Sequence, residues 1–455
     1  MSYQSAIDEL NAMVPELHSR PGQPRRKFSL DEIGVLLNAL DNPHRRYPSV
    51  LIAGTNGKGS TAATLASILT ASGLRTGLYT SPHLNRPNER IHVSDPVGGG
   101  EATGREIGDA DFARLFYHVG DAARKLVQEG TLAQMPSFFE TLTAMAFLHF
   151  AAENVQMAVL EVGMGGRLDA TNIVDPLLSI VTDISLDHTE WLGSTIAAIT
   201  HEKAGILRAG GTLITLPQHP EANKVLGEVA VDLGVRGVSA VPYMPPMDAE
   251  AAGPYALEVL GHLIEIASPL RGAHQHRNVA LAIAAAVELG SNYGIPVTAG
   301  SIADGIRQTQ WPGRLERVTS GGVDWILDVA HNPAGAWALR AGLRDALDEA
   351  GPRTLIFSCL RDKPVTEMAQ ILFPLFDRVI FAPIHSLRAT PMSDLLAAAQ
   401  ATGTPAEAAE SVSQALELAT QRGGSVIVIS GSVYLVGEAR SLLLAHTRQP
   451  VGAEP

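Results

Sequence analysis

Short β-branched or aliphatic runs alternate with Ala/Leu-rich stretches along almost the whole chain. Residues 49–53 (SVLIA) carry the pattern of a buried strand, and they lead straight into a glycine-rich run and then a helix. In that helix Ala62, Leu65, Ala66 and Leu69 recur at helical spacing, and Gly73 follows as a stop. Further strands are expected at 76–79, 157–161, 178–181 and 212–216, with helices at 112–128, 138–152, 196–207 and 276–289. Residues 94–108 hold Pro96 and five glycines and read as a loop. Residues 255–266 alternate around Gly261 and His262 and read as a hairpin. Gly, Asn and Pro cluster at 290–298, and beyond them strands at 325–329, 354–358, 378–382 and 426–430 each precede a helical stretch.

This alternation predicts two α/β domains, 1–296 and 297–455, with mostly parallel sheets covered by helices on both faces. The first reads as a P-loop ATPase domain and the second as a smaller Rossmann-like domain. The tail from Thr447 is expected to fray. Composition narrows the picture further. Of 455 residues 45% are hydrophobic, which excludes global disorder. A net charge of −13 argues against general nucleic-acid binding. The single cysteine, Cys359, excludes an internal disulfide or a multi-cysteine metal site. No apolar run approaches the ~20 residues of a membrane span, and the first twenty residues carry Asp8, Glu9 and Glu16, unlike a signal peptide. A cytoplasmic protein with no membrane partner is expected.

The strongest chemical feature is Gly54, Thr55, Asn56, Gly57, Lys58, Gly59 and Ser60 between strand and helix. Glycines let backbone N–H groups close on phosphate oxygens, and the helix N-terminus adds positive potential. The run departs from the usual P-loop pattern: Ile52 stands where the first Gly is expected, and Gly59 follows the lysine in place of Ser/Thr. A metal must therefore find ligands elsewhere. Ser81, Glu161 and His188 stand at or after the ends of later strands. Glu161 could instead bond Arg167, and His188 could be merely hydrogen-bonded.

The runs GTNGKGS, YTSPHLNRPNERI (79–91), LEVGMGGRLDATN (160–172) and DHTEWLG (187–193) together resemble the folylpolyglutamate synthase/dihydrofolate synthase branch of the ATP-dependent Mur ligase superfamily. HEKAGIL (201–207), HQHRN (274–278), WPGRLE (311–316), ILDVAHNP (326–333) and ISGSVYL (429–435) extend the likeness over nearly the whole chain, in order. The resemblance implies an amide ligase that uses ATP and Mg²⁺ to join L-glutamate to a folate or dihydropteroate carboxylate through an acyl phosphate. It implies ATP phosphates on the 54–60 loop, with Lys58 on the terminal phosphates, in a cleft between the domains. One Mg²⁺ is implied at Ser81 and Glu161, and a second near Glu161 and His188. Lys203 matches a lysine that the family carbamylates into a metal-side ligand; read by itself it is an ordinary cation paired with Glu202 or a phosphate. Asn278 matches an adenine contact, Arg314 and Asp328 match nucleotide contacts of the second domain, and His331 lies beside them and is expected to join the ATP site.

The folate site is expected at His83, Phe138 and Phe139, the aromatic pair being either a stacking platform or core. The glutamate site is expected near 359–364 and 383–388, with Asp362, Lys363, His385 and Arg388 available; Pro364 after Lys363 departs from the family's run. Cys359 reads as a packed strand-end residue, and the enzyme as a monomer. Two alternatives compete. A peptidoglycan Mur ligase shares the chemistry, but only about 50 residues precede the loop. A non-ligating P-loop switch protein would need a guanine motif, and the only Asn-Lys pair, Asn223–Lys224, is followed by Val225 and Leu226.

Overall fold

The computed structural model describes residues 2–13, 29–96, 104–246, 253–344, 351–421 and 426–447. The expected frayed tail beyond Thr447 lies outside these residues, as does the centre of the expected 94–108 loop. The chain divides into two compact units. The first comprises 1–82, 87–269 and 276–309, and the second 83–86, 270–275 and 310–455.

The first unit is built on β1 (Ser49–Ala53), β2 (Thr76–Tyr79), β3 (Ile91–Ser94), β4 (Arg105–Glu106), β5 (Met157–Glu161), β6 (Leu178–Val181), β7 (Thr212–Thr215) and β8 (Arg236–Ser239). Their order is β4-β3-β2-β5-β1-β6-β7-β8, parallel except where β3 meets β2 and β4. Strands β1, β5 and β6 are buried at every position because helices cover both faces. β4 falls inside the stretch read as loop. The hairpin appears as β9 (Tyr255–Val259) and β10 (His262–Ile266), with Leu260 and Gly261 both at positive φ in its two-residue turn.

The expected boundary at 296/297 lies one helix too early for these contacts. The Ala299–Gln308 helix belongs to the first unit. A Cβ on Gly305 would meet Ile68 Cα at 2.3 Å, and Ser67 donates to the Gly305 carbonyl at 2.6 Å. Only a residue without a side chain lets that helix press so closely on the Lys58–Ala71 helix. Three other helices differ at their ends: one begins at Asp109, one closes at Ala204, and one runs Ala273–Tyr293.

The second unit is a six-stranded sheet of β11 (Glu316–Ser320), β12 (Val323–Leu327), β13 (Arg353–Phe357), β14 (Arg378–Phe381), β15 (Ala406–Ala408) and β16 (Val426–Ser430). The order is β11-β12-β16-β13-β14-β15, parallel except for the β11–β12 hairpin. Separate apolar clusters form on its two faces. Leu355, Phe357 and Phe381 lie in one, and Ile356, Ile380 and Ile429 lie in the other. That division reflects the period of two along a strand.

Candidate active site

β1 lies between β5 and β6, where the strand order reverses, and open α/β sheets bind ligands at such a point. The register sets Ile52 beside Glu161 and Ala53 beside Val181, so the three strand ends are level. The glycine-rich loop therefore rises between the residues just past β5 and β6. Gly54 (φ 150°) and Gly57 (φ 87°) give it its turns. A Cβ on Gly54 would stand 1.8 Å from Thr182 Oγ1, and one on Gly57 would stand 2.1 Å from Asn278 Oδ1.

The segment after β6 grips the loop. The Asp183 carbonyl accepts the N–H groups of Thr55 (2.9 Å) and Asn56 (3.1 Å). Thr182 Oγ1 donates to the Asn56 carbonyl at 2.8 Å, and Ser185 N–H donates to Thr55 Oγ1 at 3.1 Å. The first turn of the Lys58–Ala71 helix has no side-chain cap, so the donors left for an anion are those at the helix start. Lys58 Nζ meanwhile donates to the Thr55 carbonyl at 3.2 Å. Sequence reasoning missed Thr182, Asp183 and Ser185. Their only signal was polarity immediately after an apolar strand.

Glu161 is 4% exposed at the end of β5 and accepts the N–H of Ser81 at 3.0 Å. The β2–β5 pairing (Tyr79 beside Leu160) brings these two residues together. Arg167 pairs with Glu202 at 2.9 Å. That contact overturns the alternative in which Arg167 answers Glu161, and it occupies the Glu202 partner considered for Lys203. The donors at Glu161 and Ser81 are hard oxygens, which suit Mg²⁺. Among the described residues no group of three His, Cys, Asp or Glu side chains could hold a metal. A cation here would need phosphate and water oxygens to complete its shell. His188 has positive φ and begins the short Thr189–Leu192 helix.

Lys203 is 5% exposed, with Nζ donating to the Gly54 carbonyl at 2.7 Å. Burial, with the positive Lys58 adding to it, pushes its ammonium down to about 7. Close packing puts it there: a Cβ on Gly166 would meet the Glu202 and Lys203 carbonyls at 2.8 and 2.9 Å. Asp169 fixes that glycine loop. It accepts from Met164 N–H (2.9 Å), Thr171 N–H (3.0 Å) and Thr171 Oγ1 (2.6 Å).

Phe139 is 5% exposed and packs 5.9 Å from Tyr79, so it is a core residue, yet it also lines a pocket with Met164, Asp169 and Trp191. Phe138 lies under the Arg90 guanidinium at 5.2 Å. His83 falls in the 83–86 segment that groups with the second unit. There WPGRLE and ILDVAHNP come together. Asp328 accepts from Leu315 N–H and Ala330 N–H, each at 2.9 Å, and burial raises its carboxyl despite Arg314. His331 Nδ1 bonds the Val329 carbonyl at 2.8 Å. The 359–364 and 383–390 segments also meet. Leu360 bridges Ala389, Arg388 pairs with Asp362 at 2.6 Å, and Lys363 Nζ lies 3.9 Å from Asp362. Burial favours protonation of Asp362, but Arg388 and Lys363 outweigh it and hold the carboxyl low. His385 is exposed. Cys359 is buried, 3.3 Å from Thr390 Oγ1.

A glycine loop at the switch point of one α/β unit, followed by a second α/β unit, is the frame of a nucleotide-dependent enzyme, and the domain matches make it a Mur-type ligase. Residues 115–286 match the Mur ligase middle domain, and residues 313–433 match the Mur ligase, glutamate ligase domain. The dihydrofolate synthase/folylpolyglutamate synthase of Mycobacterium tuberculosis is 36% identical, covering 96% of this chain and 94% of the relative. The folylpolyglutamate synthase of Lacticaseibacillus casei is 32% identical, covering 98% and 99%. The chain belongs to the folylpolyglutamate synthase/dihydrofolate synthase family and is an ATP-dependent ligase that adds glutamate to folates. Among solved structures, Mycobacterium tuberculosis folylpolyglutamate synthase complexed with ADP superposes with a TM-score of 0.84 at 33% identity, covering 98% of this chain and 99% of that one. E. coli FolC in complex with DHPP and ADP gives 0.81 at 29%, again covering 98% and 99%. No described helix is long and apolar enough to cross a membrane.

Proposed function

We propose that the 54–60 loop binds the ATP phosphates and that the residues around it activate a folate or dihydropteroate carboxylate for attack by L-glutamate. The observation that carries this is the convergence, at the C-terminal ends of the central strands, of an uncapped helix start, the buried Glu161 carboxylate and the Lys203 amine. The carboxylate oxygen of the acceptor takes the γ-phosphoryl group and ADP leaves. The glutamate amine then attacks the acyl carbon, loses a proton, and phosphate leaves with the former carboxylate oxygen. The chain's task is orientation and charge neutralisation, not nucleophilic catalysis. The N–H groups of Gly57, Lys58, Gly59 and Ser60 would hold phosphate oxygens, and the Lys58 ammonium would swing from the Thr55 carbonyl to the terminal phosphates. Gly54, Thr55 and Asn56 shape the loop.

Ser81 and Glu161 would hold Mg²⁺, with His188 and a carbamylated Lys203 as further metal-side groups; the ion would supply charge neutralisation at the phosphates. A lysine whose ammonium sits at about 7 has the neutral amine that carbon dioxide requires. Asn278 would contact adenine, and Arg314, Asp328 and His331 are the nucleotide contacts proposed for the second unit. The pteridine would seat against Phe139 in the pocket beside Asp169, with Phe138 and His83 as further folate contacts. Asp362, Lys363, His385 and Arg388 would receive glutamate. A paired assay tests the reading: phosphate release should require ATP and glutamate together with either dihydropteroate or a tetrahydrofolate. ATP turnover indifferent to both acceptors overturns it.

A further inference from the structure

We propose that Arg277 is a positioning residue for the phosphate loop, acting through Asp183, and that it sets nucleotide affinity. The inference rests on reading the loop as the nucleotide site. Arg277 holds Asp183 with a two-pronged grip. Nε donates to Oδ2 at 2.8 Å and to Oδ1 at 3.0 Å, and a terminal nitrogen donates to Oδ1 at 2.6 Å. That nitrogen also donates to the Pro217 carbonyl at 2.9 Å, tying the pair to the segment after β7. Asp183 in turn offers its main-chain carbonyl to the N–H groups of both Thr55 and Asn56. The next residue of the same helix, Asn278, sets its carboxamide against Gly57. Consecutive helix residues thus reach the two ends of one loop, Arg277 through Asp183 and Asn278 directly.

This arrangement has two physical effects. Planar guanidinium–carboxylate pairing fixes direction as well as distance, so it fixes the carbonyl that aims the loop. Hydrogen bonds weaken steeply when misaligned, so a small tilt of the loop disorders its anion-facing donors. The second effect is charge. Asp183 is 41% exposed beside a site for a polyanion, and Arg277 cancels its repulsion. The pair is 29% and 41% exposed and bidentate, so its loss costs some stability, and melting temperature must be read beside nucleotide affinity.

Titration calorimetry with ADP on the full chain tests this, alongside melting temperature and steady-state kinetics. Arg277→Ala should weaken ADP binding and raise KM for ATP by roughly tenfold, with kcat and KM for glutamate within about twofold. Arg277→Lys, which keeps charge but loses the fork, should fall between. Adding Asp183→Asn to Arg277→Ala should recover part of the loss, because the repelling charge is gone. Arg277→Ala binding ADP as wild type does would overturn the proposal. So would a loss that tracks falling melting temperature across all variants and moves every KM together. If the wild-type chain itself binds no ADP, the reading of the loop fails, and the role of Arg277 with it.

Discussion

The phosphate loop and the paired 359–364 and 383–390 segments are both polar stretches at strand ends, but they are held in different ways. The loop is fixed mainly through main-chain groups, and Gly54 and Gly57 leave no room for a methyl. The second region shares main-chain bonds at Arg361 and Thr390, but its charged groups are set by the Arg388–Asp362 pair, about a quarter exposed on each side. The first arrangement has no space for a side chain at Gly54 or Gly57. In the proposed glutamate site the second would re-pair, a substrate carboxylate competing with Asp362 for Arg388 and Lys363. One region suits a polyphosphate gripped by main-chain N–H groups, and the other a carboxylate met by charged side chains.

The contrast can be broken most severely at Lys58 and Glu161. Lys58→Ala and Glu161→Ala should each lower turnover by at least about a thousandfold while far-UV dichroism stays native. Near-normal activity in either variant removes that residue from the proposed machinery. Gly57→Ala comes next. A Cβ 2.1 Å from Asn278 Oδ1 at a φ of 87° should weaken nucleotide binding by about a hundredfold and cost about 1–3 kcal/mol of stability. A variant that binds ADP normally would show the loop to be more pliant than its contacts imply.

Lys203 gives a pH signature. Its ammonium loses its proton at about 7, so labelled bicarbonate should give a stronger carbamate carbon signal at pH 8 than at pH 6. Stability carries the same sign. Between about 7 and the usual lysine range the unfolded chain holds a proton that the folded chain lacks, so wild type should gain stability on Lys203→Met as pH rises through that window. A bare amine under saturating bicarbonate excludes the carbamate. The smallest effect is expected at Arg388, where Arg388→Ala should raise KM for glutamate by roughly three- to tenfold, the more so at low salt. No change there would move the glutamate site elsewhere.

Much of this was legible in the sequence because the first unit's chemistry sits on strongly patterned elements. SVLIA and MAVLE are buried strands, and the candidate site residues stand at or just past their ends. The supports were less visible. Thr182 to Ser185 carry no motif, and the partners through which they hold the loop lie far off in sequence, as with Asp183 and Arg277 or Thr182 and Asn56. Strands β8 and β15 were missed because RGVS and AEA are short and lack an apolar run. The Ala299–Gln308 helix was assigned to the wrong side because Gly290 to Thr298 looked like a linker, while its attachment depends on a glycine whose contact lies far off in sequence.

That helix bears on how the chain can be made and cut. It backs the helix that carries the phosphate loop, yet it is the last element of the first unit to be synthesised. On the ribosome, nucleotide-binding competence should therefore be delayed until residue 309 has emerged, long after the loop itself. A fragment ended at 296 would strip the apolar Ile302 and Ile306 from their seat and leave the phosphate-loop helix bare on that side. The second unit also draws on 83–86 and 270–275, so no single scission yields two whole pieces.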